Sequence, residues 1–420
     1  MSDTDLAVNG GTPLRTEPWP ARLQIDDREI EAVMRVLEKA KSGQTIERYG
    51  GVEVDAYEVE FAAAIGTGFA TMVSSGTAAV HTALGALRLD AGSEIICAPI
   101  TDPGAIMPVL WNNCIPIFAD SYEDNFNMDP ATIEALITDQ TKAIVCGHIA
   151  GHPCDMDVIM SIARGHDLYV IEDCAQAHYA RYKGKLVGSI GDLGCFSLMS
   201  GKHTTSAGQG GMVITDDEEL YWNAKRFADR GKPFNTDEPS NLFLGINYRV
   251  TEIAAAMGRV QLQKMAGITK ARQDYVAAFE AALAQHDVIC CEPSPVVAGG
   301  TSAYWFGTLL FHADKSTMTM AEYGAAVGAE GVPVGGNYEG ALVPTKQWIN
   351  NKQTYGQTGE PWTSPHWHGD IEALDYANSV PAAEKCVSRL MRYGVHECQG
   401  EQEAKDMAAA IAKVDAQVRR

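Results

Sequence analysis

Residues 168–178 have the sequence LYVIEDCAQAH, and residues 195–202 have the sequence CFSLMSGK. Each stretch opens with a short apolar run that is typical of a buried strand and then turns to polar or small residues. The first run ends at Asp173, and the second leads to Lys202. Because the carboxyl ends of parallel strands meet at one edge of a sheet, we expect this carboxylate and this amine to lie close together.

Short apolar runs alternate with helical patterns from residue 70 to residue 215. This alternation predicts an α/β fold in which helices cover both faces of a mostly parallel sheet. The predicted helices include Ala78–Leu87, Pro130–Ile137 and Val158–His166. The predicted strands are Thr71–Ser74, Glu94–Ala98, Ile115–Ala119, Ala143–Ile149, Leu168–Glu172, Cys195–Leu198 and Gly211–Thr215.

An amphipathic helix is predicted over residues 26–41, with its N-cap at Asp26 or Asp27. Its apolar face consists of Ile30, Val33, Met34 and Leu37.

The pattern changes in the last third of the chain. One or two long helices are predicted over residues 250–285, and a short α+β block follows that ends in a helix over Glu401–Val414. We therefore expect a large N-terminal domain at residues 1–265 and a smaller C-terminal domain at residues 266–420.

Bulk composition excludes several classes of protein. The formal charge of −21 argues against a general nucleic-acid or anionic-membrane surface. No apolar run is long enough to cross a bilayer, and the polar N-terminus lacks the apolar core of a secretion signal. Ten cysteines without a C-x-x-C pair indicate buried, reduced thiols in a cytoplasmic protein.

The acid and the lysine point to a site for pyridoxal 5′-phosphate (PLP). Proteins hold this cofactor with a Schiff-base lysine and a carboxylate beside the ring nitrogen. The small, uncharged neighbours of Lys202 suit a lysine whose pKa is lowered. Two other interpretations stay open. One is a solvated loop lysine near an ordinary cap, and the other is a metal site at Glu172, Asp173 and His178, whose spacing no second ligand cluster shares.

Ser75-Gly76-Thr77 precedes a predicted helix. A turn of this kind presents free amides and the positive end of the helix dipole, which suits a phosphate. The same residues also cap helices that bind nothing.

Taken in order, these motifs resemble the DegT/StrS family of PLP-dependent nucleotide-sugar and aminocyclitol aminotransferases. The resemblance implies fold type I: a large domain with a mostly parallel seven-stranded sheet flanked by helices, and a smaller C-terminal α+β domain. The matching motifs are SGT at 75–77, EDCAQAH at 172–178, FS at 196–197 with Lys202, GQGG at 208–211 and GINYR at 245–249 with Glu252.

The resemblance also implies roles for individual residues. Lys202 would form the internal aldimine with PLP and then move the proton, and Asp173 would pair with the pyridine nitrogen. Gln176 would contact the phenolic oxygen of the cofactor.

The cofactor's phosphate would be bound by Gly76, Thr77 and Ser197, and by Asn247 of a neighbouring subunit. The active unit would therefore be a homodimer with shared sites.

One position departs from the family pattern. Relatives carry an aromatic residue that stacks on the cofactor ring, whereas Asp102 occupies that place in APITDPG, residues 98–104. We hypothesise that Asp102 steers the enzyme toward a substrate that bears an amine. Alternatives are that an aromatic residue or His178 covers the ring, or that the alignment is displaced here. Tyr338 and His178 are expected to contact the substrate.

The predicted activity is a ping-pong transfer of an amino group from glutamate or glutamine to a keto-sugar or keto-cyclitol. The segment 9–20, NGGTPLRTEPWP, looks most like the branch that acts on cyclitol ketones. Two alternatives are a PLP- or pyridoxamine-dependent sugar dehydratase and a non-catalytic PLP-fold sensor. Dehydrating relatives have His at the lysine position, so Lys202 argues against the first, and the intact set of Lys202, Asp173 and Gln176 argues against the second.

Overall fold

A seven-stranded sheet forms the centre of the molecule. The structure is a computed structural model that describes residues 5–22, 24–43 and 50–420. The prediction that there is no secretion signal is based on the polar N-terminal segment, and residues 1–4 of that segment lie outside these ranges. Among the helices of the described residues, none combines the length and the apolar composition that a bilayer crossing requires.

The strands are β1 Phe69–Val73, β2 Glu94–Cys97, β3 Ile115–Phe118, β4 Thr141–Gly147, β5 Tyr169–Asp173, β6 Arg181–Tyr182, β7 Lys185–Leu186, β8 Leu193–Ser197, β9 Gly211–Thr215, β10 Cys291–Pro293, β11 Gly300–Thr301, β12 Gly307–Phe311 and β13 Leu390–Tyr393. The large sheet has the order β1-β9-β8-β5-β4-β2-β3, and β9 runs antiparallel to the other six strands. The predicted α/β class and mostly parallel sheet are confirmed.

The α-helices are α1 Asp27–Lys41, α2 Val52–Ile65, α3 Gly76–Ala86, α4 Met107–Trp111, α5 Met156–Gly165, α6 Glu218–Phe227, α7 Glu252–Leu283, α8 Met320–Ala329, α9 Gln347–Asn350, α10 Pro381–Val387 and α11 Glu401–Val418. The helix predicted over Pro130–Ile137 is instead two short 3₁₀ turns, Pro130–Thr132 and Glu134–Leu136. Asp129 caps the first of these turns, and the chain leaves helical geometry at Ile137, which is extended.

Helix α1 begins as predicted but buries a different face. Asp26 is its N-cap, in a capping box with Glu29. The buried residues are Glu29, Ala32 and Val36, whereas Ile30, Met34 and Leu37 are 57%, 46% and 42% exposed. The reason is polar pairing, because the carboxylate of Glu29 accepts hydrogen bonds from Gln261 and Lys264 of α7. An apolar stripe is therefore left on the outer surface.

The C-terminal third does not form one separate block. Helix α7 runs without interruption through the predicted boundary between residues 265 and 266. Its first half packs in the core under the large sheet, and its second half packs against the small sheet β10-β12-β13. Residues 341–387 contribute many side chains to the core of the large sheet. The boundary of 265/266 stays a prediction, and the later segment 341–387 packs with the N-terminal part.

Candidate active site

The carboxyl ends of β1 and β8 form a cradle with the N-terminus of α3. Ser75 caps this helix by accepting the amide hydrogen of Ala78 at 3.0 Å. A Cβ added to Gly76 would lie 2.7 Å from the Cβ of Ser197, so only glycine lets the helix approach β8 this closely. The first amides of a helix have no partner within the helix, so this end of α3 suits an anion. The predicted phosphate residues Gly76, Thr77 and Ser197 thus lie at one place.

Asp173 and Lys202 lie close enough to influence each other's charge. Asp173 ends β5, and its Oδ1 accepts the amide hydrogen of Ala175 at 3.0 Å. Burial raises the pKa of Asp173 above its usual value, although Ala175 and Lys202 act in the opposite direction. Burial lowers the pKa of Lys202 to about 8, against the opposing charges of Asp173 and Asp102. The side chain of Lys202 is only 8% exposed, which excludes the solvated loop lysine.

Trp305 holds the amine of Lys202 and was not found from the sequence. The Lys202 Nζ lies 3.8 Å from the centroid of the indole ring. The indole N–H donates to the carbonyl oxygen of Gly201 at 3.0 Å, which fixes the ring beside the lysine loop. More than one hundred residues separate the two side chains in the chain, so no local motif could indicate this contact.

The main chain of the lysine loop is held by an ion-pair network that we call the lysine clamp: Arg22, Gln24, Arg272 and Glu397. Arg22 and Gln24 both donate to the carbonyl oxygen of Lys202, at 2.7 and 2.9 Å. Glu397 accepts hydrogen bonds from Arg22 and from the fully buried Arg272. The N-terminal segment, α7 and the C-terminal region therefore meet at this loop.

Gln176 and Tyr338 form another part of the candidate active site. The amide oxygen of Gln176 accepts the backbone hydrogen of Ala150 at 2.8 Å, and its amide nitrogen donates to the Tyr338 hydroxyl at 3.1 Å. Tyr338 and Asp102 line the same cavity of about 290 Å³. The backbone amide of Thr101 donates to Ala341 at 2.9 Å, which holds these two loops together.

Asp102 lies at the mouth of this cavity and is exposed. Its Oδ1 accepts the amide hydrogen of Gly104 at 2.8 Å, which caps a short 3₁₀ turn. Its charge also opposes the lowering of the Lys202 pKa. The carboxylate therefore has a turn-forming contact and an electrostatic effect on the lysine.

His178 lies behind the cradle. It has no exposed surface, it stacks on His203 with ring centroids 5.3 Å apart, and its Nδ1 is 3.1 Å from the Thr204 hydroxyl. Burial lowers its pKa to about 3, so the imidazole is neutral. The predicted contact of His178 with substrate has no support in this geometry, which favours packing beneath the lysine loop.

A buried histidine–carboxylate pair, His148 and Glu172, lies beside Asp173. The His148 Nε2 is 3.0 Å from Glu172 Oε2, and Glu172 also accepts backbone hydrogens from Gly188, Ile190 and Gly191. Burial alone would lower the pKa of His148, but its contacts with Cys154 and Glu172 raise it well above its usual value. The side-chain ligand atoms of His148, Glu172 and Cys174 lie within 4.8 Å of one another, a spacing that could hold a metal ion. The hydrogen bonds already engage the His148 and Glu172 atoms, so the pair is structural. The sequence had grouped Glu172 with Asp173 and His178 instead.

Asn247 lies on the exposed segment between α6 and α7. Its Oδ1 accepts the amide hydrogen of Arg249 at 3.3 Å. Leu244, three residues earlier, is 91% exposed. The segment therefore presents a large apolar side chain and an amide to the outside of this chain.

The site fits PLP in three respects. A buried lysine with a lowered pKa, a carboxylate at a neighbouring strand end, and a glycine-dependent cradle at a helix N-terminus match an aldehyde, a pyridine nitrogen and a phosphate. Together with the strand order, these features define a PLP-dependent transferase of fold type I.

The chain belongs to the DegT/DnrJ/EryC1/StrS aminotransferase family, whose model matches residues 24–363. The family resemblance seen in the sequence is thereby confirmed. Members of this family use PLP.

Named relatives agree with the family. The chain is 34% identical to a putative L-glutamine:3-amino-2,3-dideoxy-scyllo-inosose aminotransferase of Micromonospora echinospora over 64% of this chain and 63% of the relative. That alignment spans less than two thirds of the relative. A second protein of the same organism, L-glutamine:2-deoxy-scyllo-inosose aminotransferase, is 30% identical over 98% of both chains. Among solved structures, an aminotransferase from Psychrobacter cryohalolentis is 32% identical, with a TM-score of 0.80 and coverage of 96% and 99% of the two chains.

Proposed function

We propose that the protein is a PLP-dependent aminotransferase that transfers an amino group from glutamine or glutamate to a keto-cyclitol or keto-sugar. The observation that carries this proposal is Lys202: a buried amine with a pKa near 8, beside a strand-end carboxylate. Such an amine is partly neutral near physiological pH and can therefore act as a nucleophile and a base.

The proposal assigns the site residues as follows. Lys202 would hold PLP covalently and would move the proton at the substrate carbon, while Asp173 would keep the ring nitrogen protonated. Gln176 would donate its second amide hydrogen to the ring oxygen, and the α3 cradle would bind the phosphate. When bound, PLP supplies the electron sink that stabilises negative charge at the substrate carbon.

Glutamine and a cyclitol ketone are the proposed donor and acceptor. The support is the relative that matches 98% of this chain, whose name specifies glutamine and 2-deoxy-scyllo-inosose. Asp102 supports an acceptor that bears an amine, because its carboxylate lines the cavity near Lys202. Ten unpaired thiols support a reducing, cytoplasmic location.

A homodimer with shared sites is part of the proposal. Its support is the exposed apolar surface of this chain, since monomers rarely expose large contiguous apolar patches. One part is the α1 stripe, Ile30, Met34 and Leu37. A second is the surface around Asn247, which we call the Leu244 surface, formed by Trp111, Leu242, Leu244, Ile246 and Tyr355.

The donor half-reaction tests the proposal. L-glutamine and then L-glutamate are added to the PLP-loaded protein without an acceptor, and the visible absorbance of the bound cofactor is followed. We expect the absorbance to be lost with at least one donor and restored by the matching keto acid.

The controls are two lysine variants. Lys202→Ala should abolish the change, whereas Lys185→Ala, at an exposed surface lysine, should leave it unaltered. A Lys202→Ala protein that transaminates at the wild-type rate would overturn the assignment of the lysine.

A further inference from the structure

The amine of Lys202 lies against an aromatic ring instead of an acid. Its Nζ is 3.8 Å from the centroid of the Trp305 indole. Among the residues that the structure describes, no carboxylate lies within ion-pair distance of this amine. The charges of Asp173 and Asp102 therefore act on it from farther away.

Three partly buried lysines elsewhere in the chain show the usual arrangement, an ion pair with an acid. The pairs are Lys225 with Glu58, Lys264 with Glu29 and Lys413 with Glu330, at 2.6, 2.5 and 2.8 Å. Removing an ammonium group from water is costly unless another favourable electrostatic contact replaces the solvent. At Lys202 the negative face of the indole ring provides that contact.

The indole is attached to the same loop as the lysine. Its N–H donates to the carbonyl oxygen of Gly201, the residue before Lys202, at 3.0 Å. The main chain of Trp305 is held as well, because its amide donates to Ala150 at 2.9 Å and its carbonyl oxygen accepts from Arg272 at 3.4 Å. We therefore expect the ring to stay beside the amine whenever the amine is free.

We propose that Trp305 is a positioning residue that holds the protonated amine of Lys202 over its indole face. This inference rests on the proposed aminotransferase function, in which the neutral amine takes a proton from the α-carbon of the donor. That step breaks a C–H bond, leaves the electron pair with the carbon and forms an N–H bond, so the amine becomes an ammonium. The ammonium later gives the proton to a carbon of the cofactor. Between the two transfers the ring face stabilises the charged amine.

The groups around the amine determine the direction of the expected effect. Burial lowers the pKa of Lys202, and the charges of Asp173 and Asp102 raise it. The imidazoles of His178 and His203 are neutral because burial lowers the pKa of both, and the arginines of the lysine clamp are paired with a carboxylate. The indole face stabilises the charged amine, as the two acids do, so its removal should lower the pKa of Lys202.

The first test measures this pKa in the cofactor-free protein. Modification of Lys202 by acetic anhydride is followed against pH by mass spectrometry, with a free amine as internal standard. We expect Trp305→Leu to lower the midpoint by about 0.5–1 pH unit, and Trp305→Phe, which keeps an aromatic face, to recover part of the shift. An unchanged or raised midpoint in Trp305→Leu would overturn the inference.

Trp222→Leu is the matched control. It removes an indole that donates to Glu218 of the same helix, α6, at 3.2 Å. This variant should keep the wild-type midpoint. A shift as large as that of Trp305→Leu would show that loss of any indole has this effect, and would contradict the proposed role.

Fluorinated tryptophan separates the charge of the ring from its shape. Fluorine withdraws electron density from the ring face, which weakens its attraction for a cation. All seven tryptophans are replaced by a singly and then a doubly fluorinated form. The midpoint should fall stepwise in the otherwise wild-type protein and stay constant in Trp305→Phe. No shift in the first protein, or equal shifts in both, would overturn the inference.

The donor half-reaction gives a second measurement, on the PLP-loaded protein. Trp305→Leu should lower kcat for L-glutamine by about 10-fold and leave KM within about 2-fold, because the contact acts on proton transfer and not on donor binding. A raised KM at unchanged kcat would contradict the positioning role. A wild-type protein that converts no amino acid would overturn the proposed function and, with it, the role in proton transfer, whereas the midpoint in the cofactor-free protein tests the contact by itself.

Discussion

At the scale of single residues, the unusual property of Lys202 is an amine that burial makes easier to deprotonate. Its pKa falls to about 8 from an ordinary value of 10.5, although Asp173 and Asp102 act to raise it. Only the neutral amine can attack an aldehyde. The burial of Lys202 therefore supports the proposed attachment of PLP at this amine.

We predict that attachment of PLP to the cofactor-free protein has its midpoint near pH 8. Below this pH the amine is protonated and attachment slows, and above it the rate levels off. The measurement is the initial rate of PLP incorporation at Lys202, trapped with borohydride and quantified by mass spectrometry. A midpoint close to 10.5 would show that burial does not lower the pKa.

The carboxylate of Asp102 is predicted to select acceptors that bear an amine. Asp102→Phe should lower kcat/KM for an amino-bearing cyclitol ketone by about 10-fold relative to its neutral analogue, because an attractive charge pair is lost. Asp102→Asn is the matched control for the turn, since its side-chain oxygen can still accept from Gly104. Unchanged kinetics of both variants across ketones would rule out this role.

The strand pattern predicted the residues that lie at strand ends, and it missed Trp305 and Arg22, which come from far along the chain. Lys202, Asp173 and Gly76 each follow or precede an apolar strand pattern, so topology alone brings them together. Trp305 and Arg22 have no such pattern around them. Their contacts with the lysine loop depend on how separate segments pack, which local periodicity does not encode.

At the scale of elements, the lysine clamp joins three parts of the chain through one carboxylate. Glu397 accepts from Arg22 at 2.7 Å and from Arg272 at 2.9 Å, and Arg272 also donates to the Tyr304 carbonyl at 3.0 Å. The backbone segment that carries Trp305 is therefore held by the same network that holds the Lys202 carbonyl.

Glu397→Gln is predicted to destabilise the protein by about 3 kcal/mol, because the fully buried Arg272 loses its charged partner. The measurement is the free energy of unfolding in urea at neutral pH. Glu123→Gln, which breaks an exposed pair with Lys385, should cost less than about 1 kcal/mol. Equal, small effects of both substitutions would show that the clamp contributes little to stability.

Helix α1 shows that the apolar pattern of a helix can predict the wrong buried face. Its apolar residues at helical spacing suggested a buried face, but the buried side carries Glu29. A single buried ion pair with Lys264 reverses the expected orientation, and that pairing involves a residue more than two hundred positions away. Under the proposed homodimer, this apolar stripe is a surface that contacts the other subunit.

At the scale of the whole molecule, the proposed homodimer gives the α1 stripe and the Leu244 surface a common explanation. Both are apolar and exposed in a single chain. Asn247 is adjacent to the second surface and, by the proposal, reaches the phosphate of the partner. The fold class was predictable because strand and helix patterns are local, whereas subunit contacts follow from surfaces that only the folded chain reveals.

Mixing two inactive variants tests whether sites are shared. Lys202→Ala and Asn247→Ala should each be nearly inactive as pure proteins. After the two are unfolded and refolded together, half of the dimers are hybrids with one intact site, so activity should recover to about a quarter of the wild-type value. Recovery would fail if each site were formed by one subunit.

Transfer of the donor nitrogen is the central claim, and an isotope measures it directly. The PLP-loaded protein is incubated with L-glutamine labelled with ¹⁵N at the α-amino group, freed of amino acid and denatured, and the released cofactor is analysed by mass spectrometry. We predict that the cofactor carries the label as an amine, at about one nitrogen per chain, and that Lys202→Ala carries none. Unlabelled cofactor from an enzyme that holds PLP at Lys202 would contradict the account.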